Sequence, residues 1–99
     1  MTLVVVTRHP ALLEYLIETG YLADDNSYAK FKHATPEIVT DNHVIGVLPH
    51  HLSCLTSSYT EVPMDIPFDK RGQELTLEDM RLYAGKPVRY IVTKDDIPF

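Results

Sequence analysis

Two cationic side chains, Arg8 and His9, come directly after the first apolar run of the chain. The run Leu3–Val6 is typical of a strand buried on both faces, and Pro10 fits the first position of a helix. Thr7 and the two cations would then lie at the carboxyl end of a strand, where backbone N–H groups and the helix dipole favour anions. The guanidinium of Arg8 can pair with a phosphate, and the imidazole of His9 can serve as a general acid or base. The alternatives are an arginine paired with a surface carboxylate and a histidine that only caps the helix.

A second apolar run repeats this design. Residues 43–48 read as a buried strand, Pro49 then starts a helix, and His50 and His51 fill its first turn. Because consecutive helical residues point about 100° apart, at most one of the two histidines should face a ligand.

Cys54 is the only cysteine, so no disulfide can form within the chain and we expect a reducing compartment, the cytoplasm. His50 and Cys54 are four residues apart and could share a helix face, with His9 completing a zinc site. No paired spacing such as Cys-x-x-Cys supports that site. We therefore expect no metal and no cofactor.

A third charged group lies in the polar loop at residues 67–74. Arg71 and Glu74 flank Gly72, which permits close backbone approach, so the loop could hold an anion. The alternative is a salt-bridged loop that positions the following helix. That helix is predicted to begin with a capping box formed by Thr76 and Asp79.

The expected elements form an α/β domain with a mostly parallel sheet flanked by helices in three layers. The first half of the chain is predicted to form a strand from residue 3, a helix ending at Gly20, a polar, turn-rich stretch at 21–28, a strand at 29–34, a helical turn at 36–39 and a strand at 43–48. The second half is predicted to form a short helix closed at 57–58, a strand at 62–66, a helix at 77–84, a strand at 88–92 and a loose tail or arm from 94. If the first, third and fourth strands are parallel neighbours, the loops after them share one edge. That edge would bring together Arg8, His9, His50, His51, Arg71 and Glu74.

Length and charge limit the functions that remain. The 99 residues make one domain, 1–99, and a homodimer is compatible with this size. The net charge of −5 argues against binding long nucleic acids but not against one focal anion site. The apolar start lacks a basic region and is too short for a membrane helix, so we expect neither a signal peptide nor a membrane anchor.

Three blocks of the sequence occur in an order and at a spacing that a known family shares. They read TRHPA at 7–11, DNHVIGVLP at 41–49 and RGQELTLEDM at 71–80. In combination they resemble the small CRISPR-associated protein family called Csx sixteen, over nearly the whole chain. The chain departs from the family pattern at Pro10, near which the family commonly has a glycine, and at Asn42, where Gly-Asp is usual.

The resemblance implies a Rossmann-like, CARF-like domain that acts as a ring nuclease in type III CRISPR systems. Such a protein is a cytoplasmic homodimer that binds cyclic oligoadenylate, chiefly cyclic tetra-adenylate, with the ring lying across its two-fold axis. Cutting the ring switches off antiviral signalling. In a metal-independent cleavage, Arg8 would bind the scissile phosphate and His9 would transfer a proton. Arg71 would bind a second phosphate. The residues expected to contact the ligand besides these are Thr7, Pro10, Leu48, Pro49, His50 and Glu74.

Two other functions fit the same residues. The first is a protein that binds a cyclic oligoadenylate without cutting it, as a sponge or sensor. The second is a histidine phosphatase, because an Arg-His pair after the first strand also resembles the nucleophile motif of the phosphoglycerate-mutase-like family. That family has glycine where this chain has Pro10, and its catalytic domain is much longer, so the sequence disfavours it.

Overall fold

The chain folds around a five-stranded sheet in a computed structural model that describes residues 2–23, 27–95 and 97. The predicted polar turn at Asp24, Asp25 and Asn26, and positions 96, 98 and 99 of the predicted tail, lie outside the described residues. The elements in chain order are β1 (Leu3–Val6), α1 (Pro10–Glu18), β2 (Ala29–Phe31), α2 (Pro36–Val39), β3 (His43–Gly46), α3 (His50–Ser53), β4 (Ser58–Glu61), a 3₁₀ turn (Phe68–Lys70), α4 (Leu77–Tyr83) and β5 (Val88–Tyr90).

The strands are ordered β2-β1-β3-β4-β5, and only β5 runs antiparallel to its neighbour. This confirms the predicted α/β class, the mostly parallel sheet and the parallel neighbourhood of the first, third and fourth strands. The chain leaves β1 for β2 on one side and returns for β3 on the other, so the strand order reverses between β1 and β3. In open α/β sheets of this Rossmann-like kind, ligands bind at such a reversal, beyond the carboxyl ends of the strands.

Alternating side chains of the sheet bury two separate cores. Val5 and Ile45 point to the face covered by α1 and α4, where Leu16 and Met80 are almost fully buried. Val4 points to the opposite face, which is covered by α2 and α3. The core on that face also contains Val6, Val39, Val44, Leu48, Leu52 and Tyr59. Both faces of β1 and β3 are therefore buried, which is why these strands read as unbroken apolar runs.

The helix boundaries follow from local signals in the sequence. Pro10 opens α1, and Gly20, at φ +86°, follows its last turn as predicted. At α4 the Asp79 N–H donates to Thr76 Oγ1 (3.1 Å) and the Thr76 N–H donates to Asp79 Oδ2 (3.0 Å), which confirms the capping box. No helix in the described part of the chain is long and apolar enough to cross a membrane.

Two strand predictions were wrong in position, and two more extended two residues too far, since β3 ends at Gly46 rather than residue 48 and β5 ends at Tyr90 rather than residue 92. The fourth strand is Ser58–Glu61, not residues 62–66, because buried Tyr59 gives a polar segment its place in the sheet while Pro63 cannot donate a ladder hydrogen bond. Met64 makes one isolated bridge to Ala84. The second strand ends at Phe31 rather than Ala34. Residues after Phe31 and after Glu61 therefore belong to the loops at the carboxyl edge of the sheet.

Candidate functional site

An open cleft of about 670 Å³, here called the central cleft, lies at the carboxyl ends of β1 and β3. The segment Val6–His9 forms one wall and the segment Gly46–Pro49 forms another. Its position is the strand-order reversal at which ligands bind in sheets of this type. The volume falls within the usual range of small-molecule pockets, about 300 to 1,000 Å³.

A second cleft of about 490 Å³, here called the loop cleft, is formed largely by residues 70–75. Arg71 and Glu74 line it together with Arg8 and His9. Arg8 and His9 also line the central cleft, so this pair stands where the two clefts meet. Arg8 and His9 thus lie beside the same cleft as Arg71 and Glu74, as expected from the sequence.

Local hydrogen bonds fix the chain around His9. The His9 N–H donates to Thr7 Oγ1 (3.0 Å), and the Thr7 N–H donates to the carbonyl of Phe31 (3.0 Å). His9 occupies the N-cap position of α1, but its side chain makes no capping bond. Its Nδ1 is buried and has no hydrogen-bond partner among the described residues. Since a buried polar atom without a partner costs free energy, the unbonded Nδ1 is not what a purely structural histidine would be expected to show.

The guanidinium of Arg8 is hydrogen-bonded to a histidine in the loop that follows β2. Arg8 Nη2 donates to His33 Nδ1 at 3.3 Å when the imidazole carries its proton on Nε2. Arg8 is exposed and has no carboxylate partner among the described residues, so its charge is not neutralised in place. Lys32, which also lines the central cleft, adds a further cation on this side.

The sequence pattern does not single out Lys32 and His33, because it predicts a second strand that continues to residue 34. A strand ending at Phe31 places both side chains in a strand-end loop beside Arg8. The run Lys30-Phe31-Lys32-His33 was the available signal, since cations just beyond a strand end are the pattern used at Arg8.

The loop that carries Arg71 is tied to the start of α4. Lys70 Nζ donates to Asp79 Oδ1 at 2.9 Å, and Arg71 Nε donates to the carbonyl of Ile66 at 3.4 Å. The hydrogen bond from the Thr76 N–H and, to a smaller extent, the one from Lys70 hold the pKa of the Asp79 carboxyl below its usual range. Asp79 in turn raises the pKa of Lys70. Lys70 is therefore the residue that joins the loop to the helix cap, while Arg71 has no carboxylate partner among the described residues.

The wall formed by residues 46–49 is shaped by two close contacts. A Cβ on Gly46 would lie 2.5 Å from the carbonyl oxygen of Val6, so only glycine allows β3 to pair with β1 at this point. The Leu48 N–H donates to the buried Tyr59 Oη at 3.0 Å. Burial is the largest cause of the raised pKa of Tyr59, whose ring lies 6.4 Å from that of Tyr90. Tyr59, a core residue, therefore fixes the backbone of the cleft wall at Leu48 through this hydrogen bond.

The remaining residues singled out in the sequence divide between the clefts and the surface. Leu48 and Pro49 line the central cleft, and Pro10 lines a separate cleft of about 230 Å³. His50 and His51 are exposed and line none of these three clefts. Among the described residues, no group of three or more His, Cys, Asp or Glu side chains is placed to hold a metal ion.

The site thus combines cations that have no carboxylate partner among the described residues, a histidine where two clefts meet and a largely apolar cleft. These features suit a ligand that carries a phosphate and an aromatic ring. Residues 4–93 match the family model described as "Putative CRISPR-associated protein (Cas_VVA1548)". No curated protein matches the chain. No solved structure matches it either.

Proposed function

The chain belongs to the Cas_VVA1548 family of CRISPR-associated proteins, and from this premise we propose that it is a ring nuclease. It binds cyclic oligoadenylate, chiefly cyclic tetra-adenylate, and cuts the ring to linear products. Removal of this messenger in the cytoplasm switches off type III antiviral signalling.

The observation that supports this proposal most is the shared position of Arg8 and His9 between the two clefts. A phosphodiester bound at that junction has a guanidinium and an imidazole beside it. Its flanking nucleotides extend into the central cleft on one side and towards Arg71 on the other. Positioning and charge stabilisation of this kind can supply most of the rate of such a reaction.

The reaction is an in-line attack of a ribose 2′-hydroxyl on the neighbouring phosphorus. A bond forms between the 2′-oxygen and phosphorus, and the bond from phosphorus to the 5′-oxygen breaks. The 2′-hydroxyl loses its proton, and the leaving 5′-oxygen gains one. The product end is a 2′,3′-cyclic phosphate, and the other end is a 5′-hydroxyl, with no metal required for the balance of atoms.

Each candidate residue has a distinct role in this scheme. Arg8 holds the scissile phosphate through charge-assisted hydrogen bonds, and His9 transfers one of the two protons. Arg71 holds a second phosphate in the loop cleft. Five residues are proposed to contact the ligand without taking part in the chemistry: Thr7, Pro10, Leu48, Pro49 and Glu74. His50 is not among them, because it lines none of the three clefts.

The proposal includes a homodimer with the ring lying across its two-fold axis. A ring of four nucleotides has more bases and phosphates than one pair of clefts can contact. In addition, the edge strand β5 and the residue after it expose apolar surface: Val88, Tyr90 and Ile91 leave 40%, 46% and 70% of their surface exposed. An exposed apolar strip on a sheet edge is a common site of association.

The test is incubation of the purified protein in EDTA with cyclic tri-, tetra- and hexa-adenylate, followed by chromatography of the products and a binding assay on the same samples. Linear adenylates with 2′,3′-cyclic phosphate ends are expected, fastest from cyclic tetra-adenylate. Tight binding without product would instead indicate a sponge or sensor, and the ring nuclease proposal would be wrong. Absence of both binding and product would contradict any role for the site with this ligand class.

A further inference from the structure

Glu61 is a carboxylate in a cleft whose other charged groups are cationic. It is the last residue of β4 and lines the central cleft, as do Arg8 and Lys32. Its side chain is partly buried and has no hydrogen-bond or ion-pair partner among the described residues. A carboxylate without a partner on the wall of a cleft is free to accept a hydrogen bond from a bound ligand.

The strand order separates this carboxylate from the cations of the cleft. Lys32 follows β2 and Arg8 follows β1, whereas Glu61 ends β4, which is two strands beyond β1 in the sheet. Neighbouring strands are about 4.8 Å apart, so β1 and β4 are separated by about 10 Å. A single nucleotide, with its phosphate at Arg8, has the dimensions to place its base near Glu61.

Most of the other side chains that line the central cleft are apolar. Leu12, Leu52, Met64 and Leu75 line the central cleft along with Leu48. Such walls suit the faces of an aromatic base, and an isolated polar group at the far end then reads one edge of that base. A carboxylate accepts hydrogen bonds and cannot donate them, so it favours a base with an amino group at that edge.

We propose that the central cleft is the base-binding subsite and that Glu61 selects adenine by accepting a hydrogen bond from its exocyclic 6-amino group. This inference rests on the proposed function and names its base specificity. Purine, the base of nebularine, carries a hydrogen atom where adenine carries the amino group, and it has no other N–H donor at that edge. It would therefore offer the carboxylate no N–H hydrogen bond. A site built around one hydrogen bond rejects an analogue that leaves its polar group unpaired.

The experiment compares single-turnover cleavage, in EDTA, of cyclic tetra-adenylate and of the corresponding ring built from purine riboside (nebularine). Wild-type protein should cut the adenylate ring at least about tenfold faster, the scale of one hydrogen bond to a charged group. In Glu61→Gln the side-chain amide can either accept or donate, so the preference should shrink to about threefold or less. Glu37→Gln, at an exposed acid on α2, is the matched control and should keep the wild-type preference.

The outcomes separate the two proposals. Wild-type protein that cuts neither ring contradicts the proposed function itself. Wild-type protein that cuts both rings equally, or Glu61→Gln that cuts with an unchanged preference, leaves the nuclease in place and overturns the role of Glu61. If Glu61→Gln fails to fold, Glu61→Asp takes its place. Its shorter reach should slow cleavage of the adenylate ring more than that of the purine-riboside ring, and an equal effect would also overturn the inference.

Discussion

Arg8 and His9 differ in what holds them, and this difference predicts different roles. Arg8 donates to His33 and has no carboxylate partner among the described residues, so its charge remains available to an anion. His9 makes no capping bond, and its buried Nδ1 has no partner within the described part of the chain. Neither residue has the bonding expected of a purely structural role.

Replacing these residues should separate binding from catalysis. Arg8→Ala should abolish detectable cleavage and weaken binding of cyclic tetra-adenylate by about 10- to 100-fold, because it removes hydrogen bonds to a charged phosphate. His9→Ala should lower the single-turnover rate by about 10²- to 10⁴-fold, the usual contribution of a general acid or base, with binding changed little. Single-turnover kinetics and equilibrium titration measure the two properties.

His51→Ala is the matched control, since His51 is exposed and lines none of the three clefts. It should match the wild type in both assays. Equal losses of rate and affinity in His9→Ala would contradict the division of roles.

Most charged residues of the candidate site could be singled out from the sequence, and the exceptions share one cause. Arg8, His9, Arg71 and Glu74 stand out because glycine, proline or an apolar run marks the backbone beside them. Lys32, His33 and Glu61 became candidates only once the ends of β2 and β4 were known. An error of a few residues in a strand end decides whether a side chain belongs to the sheet or to its ligand-binding edge.

At the scale of elements, the carboxylate of Asp79 connects the helix cap of α4 to the loop that carries Arg71. It accepts from the Thr76 N–H and from Lys70, and both bonds hold its pKa below the usual range. A carboxyl whose pKa is lowered by folding adds stability above its unfolded pKa, about 3.9. That stability is lost as the pH falls below this value and through the lower folded pKa.

Asp79→Asn should therefore lower the free energy of unfolding at pH 7, and the difference from wild type should shrink as the pH falls below about 4. Denaturant unfolding, followed by circular dichroism from about pH 7 to about pH 2.5, measures this difference in the free energy of unfolding on both sides of that pKa. Asp65→Asn, at an exposed acid before the same loop, is the control and should show a much smaller difference. A deficit in Asp79→Asn that stays constant across this pH range would contradict the ionic role of Asp79.

The elements that could be predicted are those specified by local chemistry. The apolar runs of β1 and β3, the Pro10 and Gly20 boundaries of α1 and the capping box of α4 depend on nearby residues alone. β4 could not be placed in this way, because Ser58–Glu61 is polar in composition and is held by pairing with β3 and β5. Its position depends on the tertiary fold.

At the scale of the whole molecule, the strand order gathers the carboxyl ends of β1, β3 and β4 at one edge of the sheet. The sequence predicted this gathering from parallel neighbours. It did not predict that Arg8 and His9 would join two clefts, because the path of residues 62–75 across the edge is set by packing against α1 and α4. Nor did it predict that the α3 histidines would lie outside the clefts.

The proposed homodimer makes a simple prediction about mass. Light scattering coupled to size-exclusion chromatography should give about twice the 11.3 kDa of one chain, and titration should give one cyclic tetra-adenylate per two chains. A monomer that binds one ring per chain would contradict the proposed arrangement across a two-fold axis.

The most direct measurement of the central claim is a crystal structure of His9→Ala with cyclic tetra-adenylate, grown in EDTA so that the ring stays intact. The account predicts a phosphate within hydrogen-bonding distance of the Arg8 guanidinium and an adenine in the central cleft, with the next phosphate towards Arg71. A ring bound elsewhere on the molecule, with no phosphate at Arg8, would contradict the account.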